Sequence, residues 1–297
     1  VIFEHLGGDD EESEWANYKL EEGKGIMMWG KMSNPYNQLS MGYSSDAEIE
    51  RIRSESRGFN AKRLVGYAES HDEERLMYRN LLYGNSTNQN HNIKNLNTAL
   101  SRMSAIGAVS LLIPGPKMIW HFGELGMQQS INTCFDGSLG DCKLDTKPQP
   151  HWSENWLNIA QRKQIYDDWS KMNDLKINNE VFKANSSISP YANNNLLQRI
   201  YIWDENLANT SLKNVVIIAN FDVNTQNIPI GFPYDGTWYD LMNNTTYQGN
   251  SSSSISLNPG EFRIFGNQQA TLSLSNHNNF LDLKLIQNPV KNKIQIE

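Results

Sequence analysis

The sequence predicts an α/β protein: half of a closed parallel (β/α)8 barrel, followed by an all-β sandwich. Short apolar runs alternate with helix-like stretches through residues 1–176, the order that gives parallel pairing. Only four such β-then-α units can be counted, whereas a closed barrel needs eight units and roughly 250 residues. Beyond Leu175 short strands follow one another, separated by Asn, Ser and Gly clusters, which is the pattern of an antiparallel sandwich. The expected boundaries are 1–176 for the barrel half, 177–266 for the sandwich, and 267–297 for a linker leading into further strand-like sequence.

In order along the chain, Val1 to Glu4 reads as a buried strand and Ser13 to Glu22 as a helix. The acidic run Asp9-Asp10-Glu11-Glu12 before that helix suits its dipole better than it suits a metal. Gly25 to Gly30 is a second strand, and Asp46 to Glu55 a charged surface helix. Leu64 to Glu69 is a third strand. Asn95 to Leu112 carries apolar residues at helical spacing (Leu96, Leu100, Met103, Ile106) until Pro114-Gly115-Pro116 breaks it. Met118 to Phe122 is the fourth strand, and Asn155 to Leu175 the last helix. Strands over Leu197–Trp203, Asn214–Phe221, Gly236–Leu241 and Glu261–Phe265 make the sandwich.

Composition narrows the function. Among 297 residues, 26 Lys and Arg against 33 Asp and Glu give a net charge of −7, so nucleic acid is not the expected partner. No apolar run reaches the ~20 residues of a membrane-spanning helix. Neither G-x-x-x-x-G-K-[ST] nor G-x-G-x-x-G occurs, which removes the phosphate-loop chemistries. Two cysteines are too few for a disulfide scaffold or a Cys-rich zinc module. Eight Trp and 12 Tyr leave sugar stacking open.

In parallel barrels the polar residues at the C-terminal ends of strands are the default catalytic candidates. The first strand ends in Glu4-His5, the third in Glu69-Ser70-His71-Asp72-Glu73-Glu74-Arg75, and the fourth in Gly123-Glu124-Leu125-Gly126. Carboxylates and a histidine would converge on one rim, with Trp29 and Tyr36 after the second strand as stacking platforms. Glycoside hydrolysis uses such a set, with carboxylates about the anomeric carbon and donors to the sugar hydroxyls. Each residue has a plainer role open to it: Glu4 as partner of an Arg, His71 as a core histidine, Asp72 as cap of a helix starting near Glu73. Glu124 reads as structural.

Three of these stretches, in this order, resemble the α-amylase family, glycoside hydrolase family 13. Tyr67-Ala68-Glu69-Ser70-His71-Asp72 resembles the motif after that family's seventh barrel strand, Val1 to His5 its fifth-strand motif, and Pro116 to Gly126 its eighth-strand motif. The resemblance covers residues 1–266 and implies strands five to eight of the barrel plus the family's C-terminal β domain. It implies that Glu4 is the general acid/base, that Asp72 is the carboxylate stabilising the oxocarbenium-like ring, and that His71 donates to a hydroxyl of the same sugar. The substrate class implied is α-1,4-glucan polysaccharide or oligosaccharide, cleaved with retention. Two departures matter. The family's nucleophile, an Asp two residues after an Arg, has no counterpart here, so the 297 residues alone are expected to be inactive. Ser70 replaces the usual Asn, as in α-glucan branching enzymes, which keeps transglycosylation open beside hydrolysis. A non-catalytic glucan-binding surface protein is the alternative outside the enzyme class.

Both ends of the sequence fall within strand-like runs and no signal peptide is visible, so the chain is expected to be a piece of a longer protein. Phe280 to Glu297 resembles the opening of the sorting domain of type IX secretion in Bacteroidetes, which implies a secreted or cell-surface protein. With export, a disulfide between Cys134 and Cys142 is the expectation. No cofactor is required by the chemistry, no metal ligands are identified, and Ca2+ is left to the complete protein.

Overall fold

The computed structural model describes residues 1–5, 7–140, 152–192 and 196–270. The fold is mixed α/β. A parallel sheet is built from β1 (Ile2–Phe3), β2 (Met27–Gly30) and β3 (Leu64–Gly66), in that spatial order. Helix α1 (Asp9–Asn17) connects the first pair, and α2 (Ser33–Met41) lies between β2 and β3. After β3 come α3 (Leu76–Tyr83), α4 (Leu96–Ser101), α5 (Met103–Ser110) and α6 (Ala160–Asn178).

The expected fourth strand at Met118–Phe122 does not form. It is reduced to a single parallel bridge, Gly66 to Lys117, held by Gly66 N–H on Pro116 O at 3.0 Å and Met118 N–H on Gly66 O at 3.0 Å. Its neighbour among the described residues, β3, offers three residues, and a turn closed by Gly123 N–H on Trp120 O ends the run at once. The expected surface helix at Asp46–Glu55 is instead two 3-10 turns, Glu50–Ile52 and Glu55–Arg57, the second ended by Gly58 at φ 74°. The acidic run does begin a helix: α1 starts at Asp9, with all four carboxylates in its first turn.

The sandwich follows. Strands β4 (Ser187–Ala192), β5 (Leu197–Trp203), β6 (Asn214–Asn220), β8 (Gly236–Asp240), β9 (Thr245–Gly249) and β11 (Phe262–Gly266) form one antiparallel sheet, ordered β4-β5-β6-β11-β8-β9. Strands β7 (Gln226–Pro229) and β10 (Ser254–Leu257) pair as a second, smaller sheet. Alternation along β6 sends Val215, Ile217 and Ala219 into one core and Val216 and Ile218 into another, so both faces are covered.

The first of these cores is shared. It runs from Leu39 and Ile106 through Trp169 to Ile217 and Ile264, so the helices and the large sheet pack as one body. Arg102, fully buried, stitches the seam: it donates to Ser40 O at 2.8 Å, Leu39 O at 3.0 Å and Phe221 O at 2.6 Å. Trp169 closes on α5, its Nε1 donating to Met103 O at 3.0 Å. That approach needs Gly107, where a Cβ would lie 2.3 Å from the indole nitrogen.

Candidate active site

Parallel strands aim their C-terminal ends at one rim, and the rim here is set by β1, β2 and β3. Successive residues after β1 point to opposite sides. His5 turns away and stacks on Trp15, with centroids 5.3 Å apart and planes at 5°, while its Nε2 lies 3.3 Å from Glu11. Glu4 therefore faces the other way, and its Oε2 lies 3.7 Å from His71 Nε2. Both side chains are open to solvent, at 40% and 44% of full exposure, so neither is a core group and Glu4 is paired with a histidine rather than an arginine.

Aromatic rings gather at His71. Trp29, the third residue of β2, meets the His71 ring edge-on at 5.5 Å, and Tyr67 meets Trp29 at 5.4 Å. The Trp120 ring lies 6.0 Å from His71. Tyr67 is buried, and its hydroxyl is held well above the ordinary phenol range. The causes are desolvation first, then the negative charges of Glu73, Glu4 and Asp72. Three carboxylates from two strand ends thus act on one phenol. Glu4 and Asp72 do not lie on adjacent strands, because β2 separates β1 from β3; the His71 ring spans that gap.

The loop that displays His71 and Asp72 is fastened at both ends. Glu69 is buried, and its Oε1 accepts the Leu76 N–H at 2.8 Å at the start of α3. Glu69 therefore supplies an acceptor to the first N–H of the helix. Arg75, also buried, lies 3.7 Å from Glu69 Oε2 and donates to His121 O at 2.8 Å. Burial pushes the Glu69 carboxyl up, against the opposing pull of Arg75 and the Leu76 N–H. Glu124 is likewise raised, chiefly by burial. Within the loop the Ser70 hydroxyl donates to Glu73, whose other oxygen lies 3.2 Å from Lys31.

Tyr36 is not part of this rim. It is buried in the shared core, 2% exposed, and its hydroxyl donates to Val109 O at 3.1 Å. A ring so placed has no face to offer a sugar. Its position in α2, rather than in a loop after β2, turns it inward. Sequence reasoning also missed Trp120 and Lys31. Trp120 follows the same strand-end rule as Glu4 and could have been found by it.

Cys134 is disulfide-bonded, while Cys142 lies outside the described residues, as does Phe280–Glu297. Among the described residues no group of three or more His, Cys, Asp or Glu is placed to hold a metal ion. No helix among them is long and apolar enough to cross a membrane.

A parallel sheet with a carboxylate- and indole-lined rim, backed by an antiparallel β domain, is the architecture of part of an amylase-type barrel with its β domain. Solved structures share the fold. A pullulanase from Anoxybacillus sp. LM18-11 superposes with a TM-score of 0.59 at 14% identity, over 83% of this chain and 35% of its own. AmyP in complex with maltotriose gives 0.62 at 10%, over 91% and 56%, and an α-amylase from Malbranchea cinnamomea gives 0.57 at 12%, over 89% and 50%. The chain thus spans between about a third and just over half of each structure. No protein-family model matches the sequence, and no curated protein matches it.

Proposed function

We propose that this chain carries the acid/base side of a retaining glycoside hydrolase site for α-1,4-glucans. The observation that carries the reading is the meeting of Glu4 and His71 at 3.7 Å, with the indoles of Trp29 and Trp120 both close to the His71 ring. A carboxyl beside aromatic walls can protonate a glycosidic oxygen and later take a proton from the attacking water. His71 donates to a hydroxyl of the same sugar, and Asp72 holds neighbouring hydroxyls as the ring flattens. The shared fold with an α-amylase and a pullulanase supports this class of substrate.

A retaining mechanism also needs a nucleophile about 5–5.5 Å from the acid. No Arg-x-Asp stands anywhere in the 297 residues, so we assign the nucleophile to none of them and expect no turnover from this chain alone. Release of reducing sugar from amylose by the purified chain would overturn that. In a longer protein containing this chain, Glu4→Gln should abolish amylose cleavage while leaving the circular dichroism unchanged. Retained activity would remove Glu4 from the mechanism, and branched products would point to transglycosylation instead. Export belongs to the same proposal, supported by the disulfide at Cys134, since such bonds persist in oxidising compartments.

A further inference from the structure

The sandwich carries a second aromatic surface that the rim does not use. Along β5, Ile200 and Ile202 enter the shared core, so Arg199, Tyr201 and Trp203 lie on the opposite face. The Tyr201 and Trp203 rings stack, with centroids 4.6 Å apart and planes at 11°. Their cross-strand partners on edge strand β4 are Ser189 and Ser187, both exposed and too small to cover an indole or a phenol. On the other side Asn214 pairs with Trp203. Its side chain accepts from the Tyr201 hydroxyl and also bonds the phenol of Tyr234, a residue 44% exposed. The small sheet β7–β10 covers Val216 and Ile218 and reaches only as far as Tyr201, while Trp203 stands outside that core.

Arg199 donates to Ile230 O and Gly231 O, each at 2.8 Å, and Glu205 lies 3.8 Å from Lys213. A face of rings and hydroxyls whose neighbouring arginine is already bonded to carbonyls suits a neutral polyhydroxylated chain better than an anionic lipid or a nucleic acid. Sugar rings present C–H faces to aromatic rings and hydroxyls to their polar neighbours.

We propose that the Tyr201–Trp203 slab, with Tyr234, Ser187 and Ser189 at its margin, is a polysaccharide-binding platform on a different sheet from the rim. Its ligand is a neutral polysaccharide. Naming that polymer as an α-glucan rests on the function proposed above. The platform would hold a glucan chain while the rim works on another part of it.

The test is native electrophoresis of the whole chain through gels containing amylose, with xylan and mixed-linkage β-glucan gels alongside, and titration with maltoheptaose. Amylose should retard the protein, and Trp203→Ala should weaken binding about tenfold. Because Trp203 also packs, Ser189→Lys gives an independent arm: it removes no packing and lays a charged chain across the rings, and it should weaken binding comparably. Trp29→Ala, at the rim, should leave the retardation in place. Retardation lost only with Trp29→Ala, or unchanged in both platform variants, would overturn the proposal. So would retardation by no polysaccharide, or a concentration-dependent dimer abolished by Ser189→Lys. Retardation by xylan or β-glucan alone, lost with Trp203→Ala, would uphold the platform and refute the α-glucan reading.

Discussion

Strand β6 buries all seven of its residues, whereas β1, at the edge of the parallel sheet, pairs through two residues and leaves Ile2 53% exposed. The large sheet is covered by helices on one side and by a smaller sheet on the other, and its stability comes from apolar area, about 1.5–3 kcal/mol for each fully buried Ile or Val. The parallel sheet has three strands of two to four residues and keeps its polar groups at the ends. Chemistry needs exposed, adjustable side chains on a frame that does not move. The molecule separates the two: the frame is the seam between helices and sandwich, and the groups proposed to contact sugar sit where burial is least.

Substitutions can break or sharpen that contrast. The largest effect is expected at the seam. Arg102→Ala removes donors from three buried carbonyls and should cost about 3 kcal/mol in urea unfolding. An unchanged midpoint would mean that the seam is not what holds the halves together.

Acid should act on the same place. His91 accepts from Arg102 Nη1 at 3.1 Å, and burial, then the Arg102 charge, lowers its pKa from 6.5 to about 4. The unfolded chain takes this proton near pH 6.5 while the folded chain resists until about pH 4. Stability should therefore fall as pH drops through that window and level off below it. His91→Gln should flatten the fall in a pH series of thermal midpoints, and a slope unaltered by the change would exclude His91 as its source.

The smallest effects separate core from rim. Tyr36→Phe should cost about 1 kcal/mol for the lost bond to Val109 O and leave glucan affinity unchanged. His71→Ala, at an exposed position, should stay within about 0.5 kcal/mol of the parent and weaken maltoheptaose binding at the rim. The reverse result would place Tyr36 back at the site.

Legibility followed the same division. Asn214–Asn220 could be read directly, because a strand buried on both faces is a near-continuous apolar run, and Leu197–Trp203 because buried Ile200 and Ile202 alternate with half-buried Arg199, Tyr201 and Trp203. Gln226–Pro229, Thr245–Gly249 and Ser254–Leu257 were not, since half their residues face water and each is four or five residues long. Ser33–Met41 was passed over because its buried face includes Ser33, Asn37 and Ser40, which hide the helical period. The strand-end rule pointed to Glu4, His71, Asp72 and Trp29, of which Glu4, His71 and Trp29 meet in the fold. It failed for Tyr36, whose partner is 73 residues away in sequence, and for the fourth strand, whose partner among the described residues, β3, is only three residues long.

The clasp from Glu69 to Leu76 closes a span of seven residues, with the proposed sugar contacts strung between its two ends. Gly123 guards the clasp from behind, since a Cβ there would lie 2.8 Å from the Glu69 carboxylate. A buckle of this kind fixes length and not content. Exchanging Ser70 or Glu73 would leave the clasp closed, while gaining or losing a residue there would draw His71 off Glu4. The loop accepts new letters, and never new spaces.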